Sequence, residues 1–466
     1  MDTLKILKYK EKIFPLIIGF LILVHIFILL QMLFFPYPEL FIYSYLTDKG
    51  FMPYKQIIDQ HFPGVMFLPV NLYSLGIDTL AEMRMVSFAL IISGDLIFAK
   101  ILKKLFNKNT YVFLGLLLYV FWQIYFEGHV LWIESFITPL LLGAFYLLMN
   151  FFDRKSYSQF YIAAFILGLS LVLKQTVLPL VGLIYLYLIY KKVPLKNIFY
   201  SLLLFSLPMC MVLLYFIKIG IIKDFFYWTV TFNLTAFAQM GKTHPTINDL
   251  IKTMPVFGTA AISILWLIRT RGLKKALLPG LFLLGSLFFA YARFDYIHLQ
   301  PALPFAVILI LFLLNNLKRN LLIASALVYF LVSLYIFIPS FRFNNRPGIS
   351  PMLNDIDTVS LVNLVNKYKK GGSIFALGTY PHIYYLTNTL PPGGIFSFQF
   401  PWFMKVAENR VLEGILSDPP DIIVRDTTAQ VDGLTLIDYM ETIEDYVEKH
   451  YKVVDSVGSS EILVKI

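Results

Sequence analysis

Cysteine is almost missing from this chain of 466 residues: Cys210 stands alone inside an apolar run. One cysteine excludes a disulfide framework and a thiolate metal site. Charge is scarce as well. Asp, Glu, Lys and Arg make up 15% of the residues, 58% are hydrophobic, and the mean hydropathy is +0.71. Soluble globular proteins carry about 25% charge, so the deficit excludes an ordinary soluble domain and implies an integral membrane protein. Internal repeats and low-complexity tracts are also lacking. The basic N-terminal stretch MDTLKILKYKEK precedes an apolar run at 13–35. That run is too long for a signal-peptide h-region and has no small-x-small cleavage motif. It reads as a retained anchor.

What the chain does have is apolar runs, at 13–35, 80–102, 110–126, 130–152, 159–173, 177–190, 198–219, 254–268, 276–291, 300–315 and 321–340. The first, of 23 residues, is long enough to cross a bilayer. Short basic segments separate the runs: Lys103, Lys104 and Lys108; Arg154 and Lys155; Lys191, Lys192 and Lys196; Arg269, Arg271, Lys274 and Lys275; Lys318 and Arg319. With Lys5, Lys8, Lys10 and Lys12 they hold 18 basic residues, opposed by Asp2, Glu11 and Asp153. Basic loops favour the cytoplasm. The expectation is therefore a polytopic α-helical protein of a plasma membrane with about eleven spans. Its N-terminus is cytoplasmic and its C-terminus extracytoplasmic. The net charge of +10 follows from this topology and calls for no nucleic-acid partner.

The stretch 159–190 has the length of one long span, yet basic pairs at both ends belong on the cytoplasmic side. The sequence therefore splits at Lys174-Gln175-Thr176, with Pro179 just beyond. Each half is about 15 residues, roughly 22 Å of helix, shorter than the hydrocarbon core. Such half-length helices frame cavities, because non-helical backbone at that depth must line water or protein. Two segments outside the spans exceed turns: the first loop, 36–79, and the aromatic-rich 220–252, expected to pack on the bundle rather than lie in the interface. After Phe341 the composition changes. Residues 344–348 read as a linker, and 342–466 hold 11 Lys and Arg against 15 Asp and Glu, where the remainder holds 28 against 14. Strand-like runs (373–377, 421–425, 451–454, 461–466) alternate with helix-like ones (358–370, 403–416, 436–449), as in a small α/β domain. The expected division is a membrane module at 1–341 and an extracytoplasmic α/β domain at 342–466.

Ionisable groups at the ends of spans are costly and usually face a cavity. On the expected topology the outer face collects Glu39, Asp59 and His61; Arg84; Glu127, His129 and Glu134; Lys174; and Arg293, Asp295 and His298. The inner face carries mainly Lys and Arg. A mixture of acid, base and imidazole marks a site, whereas uniform basic charge marks topology. Each residue also has a plainer reading. Glu39 stands at a boundary beside an interfacial tyrosine belt, Lys174 snorkels, Arg293 pairs with Asp295, Arg84 makes a structural contact, and His25 is a satisfied core histidine.

The order of motifs is specific. An acidic residue, Glu39, follows the first span. G-x-x-P-Y (Gly50–Tyr54), H-x-P-G (His61–Gly64) and R-M-V-S (from Arg84) come next, then E-S-F at Glu134. L-x-L-x-L-K-Q ends at Gln175, and R-x-D-Y-x-H-L-x-P-x-L-P begins at Arg293. In this order the chain resembles integral-membrane glycosyltransferases of the GT-C fold. The likeness is greatest to the branch of protein O-mannosyltransferases and the bacterial aminoarabinose transferase of lipid A. The tail, with A-L-G-T-Y-P-x-I-Y-Y-L-T-N and P-P-D-I-I-V, looks like the extracytoplasmic domain of bacterial members. The resemblance implies a polyprenyl-phosphate-linked sugar donor, a lipid, glycan or protein acceptor outside the membrane, and inversion at the anomeric carbon. It also implies a catalytic acid in the first loop, matched here by Glu39. Many members carry paired acidic residues there, whereas Glu39 lies between Pro38 and Leu40.

On that reading Glu39 is the base for an acceptor hydroxyl. Lys174, Arg293 and Arg84 stabilise the departing phosphate, and Tyr54, Asp59, Glu127 and Glu134 support the acceptor. His61, His298 and Asp59 are a candidate set for a divalent metal such as Zn or Mn. Some relatives use a metal and others need none, so the resemblance fixes no cofactor. The rival readings are a transporter or flippase of lipid-linked saccharides, which would favour mid-membrane breaks and two-fold repeats, and a non-catalytic assembly subunit with an outer binding domain.

Overall fold

The computed structural model describes residues 3–270, 272–317, 319–344 and 356–466. The expected linker from Asn345 onward lies outside them, as do Asp2, Arg271 and Lys318 of the charged segments. Each apolar run forms helix. Among the described residues five helices are long and apolar enough to cross a membrane: Leu80–Phe106, Ile133–Arg154, Leu195–Lys218, Ile247–Arg269 and Leu273–Ala290. Six shorter apolar helices of 10–17 residues account for the other runs. In the helix Thr3–Leu30, Leu16, Phe20, Leu23 and Phe27 recur every three or four residues and are 62–72% exposed, while Ile18, Leu21, Ile22, His25 and Leu29 are buried. An apolar stripe turned outward suits lipid, and the opposite stripe packs inward.

The expected interruption near Lys174 is present. The helix Tyr157–Leu173 stops at Lys174, whose φ of −157° and ψ of 131° are extended, and a 3₁₀ turn Gln175–Val177 leads into the helix Leu178–Tyr190. Pro179 sits in the first turn of that helix, where its missing N–H costs nothing. Gly168 lets Tyr157–Leu173 approach its neighbour closely, because a Cβ there would lie 2.2 Å from the Phe205 carbonyl oxygen. Small residues at crossings are the usual packing device between membrane helices.

By compactness the chain divides into two interleaved units. One holds Met1–Phe35, Met83–Cys210 and Thr243–Gly348; the other holds Pro36–Glu82, Met211–Lys242 and Ile349–Ile466. This differs from the expected division at 341, because the first loop folds with the C-terminal segment. Ile57–Ile58 pairs in parallel with Phe396–Ser397, and the Tyr45 hydroxyl donates to the Thr389 carbonyl at 3.2 Å. Tyr43 meets Phe396 and Phe398 edge-on, with ring centroids 6.1 and 5.6 Å away. The aromatic segment joins the same unit. Phe232 stacks on Phe403 at 5.2 Å, and Phe237 meets Trp402 edge-on at 5.8 Å. Packing was expected for this segment and is found: Trp228, Phe232 and Phe237 meet the C-terminal segment, while Phe225 packs against Tyr54 and Phe62 of the first loop and Phe216 of the helix Leu195–Lys218. Phe226 and Tyr227 are exposed.

Within this unit a four-stranded sheet runs in the spatial order Ile374–Leu377, Ile422–Asp426, Ser460–Lys465, Tyr451–Val457. The first pair is parallel and the others antiparallel. Ile422, Ile423 and Val424 are all fully buried, which explains a continuous apolar run instead of alternation. The helices Ile356–Tyr368, Pro401–Ser417 and Glu441–His450 alternate with the strands, as the α/β pattern anticipated.

Candidate active site

Apart from Arg84, the sequence-derived site residues fall into two polar centres, one in each unit. In the unit of the first loop, the helix Pro38–Asp48 begins with Pro at its first position and Glu39 in its first turn. Both favour a helix start, by the fixed proline φ and by the interaction of a carboxylate with the helix dipole. Glu39 is only 7% exposed, and its Oε2 is buried with no hydrogen-bond partner among the described residues. Burial pushes its carboxyl from the usual 4.5 up to about 7. Its own backbone N–H and His61 pull the other way, and Asp59 adds to the rise. A buried carboxylate with open acceptor capacity, poised near neutrality, is what a general base requires.

Asp59 anchors the loop around it. Its Oδ2 accepts from the Tyr43 hydroxyl at 2.7 Å, and its Oδ1 accepts from the His61 backbone N–H at 2.6 Å. His61 Nδ1 lies 3.0 Å from the same oxygen. Tyr54 is fully buried, donates its hydroxyl to the His61 carbonyl at 2.9 Å, and has a φ of +63°. A tyrosine in the left-handed region is uncommon, and surrounding structure must hold it there. Asn233 Nδ2 donates to the Gln60 carbonyl at 3.0 Å, fixing the same stretch from the aromatic segment. Tyr43 was not singled out in the sequence. Its signal would have been the spacing Glu39–Tyr43, one helical turn, which lines both up on one face.

The other unit holds the second centre. Glu134, in the first turn of Ile133–Arg154, is fully buried; its Oε1 is ion-paired with Lys174 Nζ and lies 2.7 Å from His298 Nδ1. Lys174 reaches it from the extended break, and His298 from the 3₁₀ turn Tyr296–Leu299. Asp295 lies 3.9 Å from His298 Nε2 and 3.8 Å from Arg293 Nε. Burial raises the Asp295 carboxyl above the usual carboxylate range, opposed by His298, Arg293 and Lys174. Glu127, at φ +61°, accepts the Ile297 N–H at 2.9 Å. Burial lifts its carboxyl to about 7, the Ile297 N–H opposes, and Asp295 contributes. Burial lowers His129 to about 4, so its ring is neutral at pH 7.

Three expectations change. Arg84, expected at the donor phosphate, donates Nη2 to the carbonyls of Leu29 and Leu30 at 2.9 Å and of Met32 at 3.3 Å. It satisfies orphan carbonyls at the end of the first helix, which is a structural position. Glu134, expected near an acceptor, commits its Oε1 to Lys174 and His298, while its Oε2 is buried with no hydrogen-bond partner among the described residues. The metal set is the third. His61 is committed to Asp59 and His298 to Glu134, and among the described residues no group of three or more His, Cys, Asp or Glu side chains is placed to hold a metal ion.

A buried chain of polar groups lies beside the second centre. His25 is fully buried, with Nδ1 2.9 Å from Asp95 and Nε2 2.7 Å from Gln123, so both ring nitrogens are satisfied as expected. Gln123 contacts Gln300 at 3.2 Å, and Gln300 Nε2 donates to the Phe126 carbonyl at 2.6 Å. Asp95 was missed in the sequence, although a lone carboxylate inside the apolar run 80–102 is a strong signal.

Comparison with known proteins bears on this arrangement. Residues 60–243 match the family model described as dolichyl-phosphate-mannose-protein mannosyltransferase. No match was found among curated proteins. Among solved structures, the chain is similar to ArnT from Cupriavidus metallidurans bound to undecaprenyl phosphate, with a TM-score of 0.66 and 11% identity over 97% of this chain and 98% of that one. The same protein in its apo state gives 0.62 at 10% identity, with 98% of each chain covered. The Archaeoglobus fulgidus oligosaccharyltransferase tethered to an acceptor peptide gives 0.50 at 12% identity, over 94% of this chain and 72% of that one. In fold along nearly its whole length, and in family match over residues 60–243, the chain resembles the GT-C integral-membrane glycosyltransferases of the protein mannosyltransferase and aminoarabinose transferase branch.

Proposed function

We propose that this protein is a glycosyltransferase that moves a sugar from a polyprenyl-phosphate donor to an extracytoplasmic acceptor, with inversion and with Glu39 as general base. The ArnT neighbour is described as bound to undecaprenyl phosphate, which supports a lipid-phosphate donor. The observation that carries the reading is Glu39 itself: a buried carboxylate with an unpartnered oxygen and a pKa near 7. In the reaction, Glu39 takes the proton of an acceptor hydroxyl as its oxygen attacks the anomeric carbon. The bond from that carbon to the phosphate oxygen breaks on the opposite face, and the phosphate leaves with the electron pair. Arg293 and Lys174 are the cations assigned to that developing charge, Lys174 being held in place by Glu134. Tyr54 and Asp59 keep the first loop in shape, and Glu127 supports the second centre. About eleven spans, a cytoplasmic N-terminus and an extracytoplasmic C-terminal segment complete the proposal.

The test is sugar transfer from a polyprenyl-phosphate donor by Glu39→Gln in purified membranes, with surface glycans read by mass spectrometry. Loss of transfer at unchanged expression is expected. Full activity in the variant would remove the base, and a protein that moved the lipid-linked sugar across a bilayer without transferring it would be a flippase.

A further inference from the structure

We infer that the C-terminal segment carries a saccharide-binding pocket separate from the centres described above. A cavity of about 150 Å³ opens beyond the carboxyl ends of the parallel strands Ile374–Leu377 and Ile422–Asp426. In open α/β sheets this is where ligands bind, because the loops leaving the strands diverge there. Those loops supply its walls: Thr379 and Tyr380 follow the first strand, Asp426 ends the second, and Ser460 opens the antiparallel strand paired to it. Asp357, in the first turn of Ile356–Tyr368, lines the exposed side, and the buried His382, Leu361 and Ile383 line the inner side.

The chemistry of the lining selects the ligand. Two carboxylates, two kinds of hydroxyl and an imidazole suit the vicinal hydroxyls of a sugar. Tyr380 is 53% exposed, and its ring lies 5.7 Å from the His382 ring at 29°, so aromatic surface borders the cavity where sugar C–H groups can pack. Among the described residues no Lys or Arg lines the cavity, which disfavours phosphate and carboxylate ligands. Among the described residues a bare divalent cation also lacks a group of three ligands. The volume is that of about five waters, below the roughly 300–1,000 Å³ of sites for drug-sized ligands, and fits one sugar ring entering from a longer chain. We assign that ring to the acceptor glycan, and this assignment alone rests on the transferase reading.

The full-length protein in nanodiscs is titrated with the methyl glycosides of glucose, mannose, galactose and N-acetylglucosamine, each alone, and binding is read by saturation-transfer NMR. At least one glycoside is expected to bind, with Tyr380→Ala and Asp357→Asn each weakening it tenfold or more. Both substituted side chains are exposed, and Ser460→Ala is the conservative third variant. No binding to the wild type, or binding by Tyr380→Ala and Asp357→Asn equal to the wild type, overturns the site. Binding is read without turnover. A protein inactive in transfer leaves the pocket standing, and one active in transfer but blind to every glycoside removes the pocket alone.

Discussion

Glu39→Gln has a thermodynamic consequence that is measurable without any substrate. The folded protein holds the Glu39 proton up to about pH 7, whereas the unfolded chain releases it near 4.5. Between those values the folded state binds more protons, so stability falls as pH rises. The contribution is fully present below 4.5 and lost by the time pH has passed 7. A difference of roughly 2.5 units at 1.36 kcal/mol each amounts to about 3 kcal/mol. Gln resembles the protonated carboxyl and undergoes no such loss. Equilibrium unfolding in denaturant, followed by tryptophan fluorescence between pH 4 and pH 8.5, should therefore show variant and wild type close at the acid end. The variant should gain about 3 kcal/mol relative to wild type by pH 8. The same titration should appear in wild-type kcat/KM as a tenfold rise per pH unit below about 7, because only the ionised carboxylate accepts a proton. Two parallel stability curves would refute the burial argument, whatever the activity of the variant.

Glu134→Gln leaves the buried Lys174 charge without its partner and should destabilise by about 3–5 kcal/mol. Lys174→Met leaves Glu134 with His298 and should cost less. The double variant should cost clearly less than the sum, and additive costs would dissolve the pair. Arg84→Ala should lower stability by about 1.5–3 kcal/mol through lost charged hydrogen bonds while leaving the KM for donor unchanged. A raised donor KM at unchanged stability would return Arg84 to the phosphate. Tyr43→Phe strips the hydroxyl from Asp59 and should cost about 1.5–3 kcal/mol, read by unfolding of the full chain; no loss would mean that the Tyr43 hydrogen bond contributes nothing to holding the loop.

The apolar helices were legible because lipid imposes long apolar runs, and even the break at Lys174 could be read from the basic pairs on either side. The strands and helices after residue 356 were legible from alternating composition. Neither signal reports which distant segments meet. The pairing of Ile57–Ile58 with Phe396–Ser397 is two residues long and leaves no periodicity to detect. Glu134, Lys174 and His298 come from a helix start, a helix break and a turn, and the sequence offered each a separate role. For Arg84 the sequence allows both a phosphate cation and a structural contact, and the carbonyls of Leu29 and Leu30 beside it decide for the second.

Ile57 and Phe396 are 339 positions apart. At about 5–20 residues per second on the ribosome, roughly 20–70 s separate the synthesis of the two partners. The nascent loop bearing Glu39 and Asp59 must wait for most of the chain before it acquires its neighbours. Maturation of the proposed catalytic loop is thereby tied to completion of the polypeptide, and a message truncated after the last apolar helix would insert its helices yet leave that loop unformed.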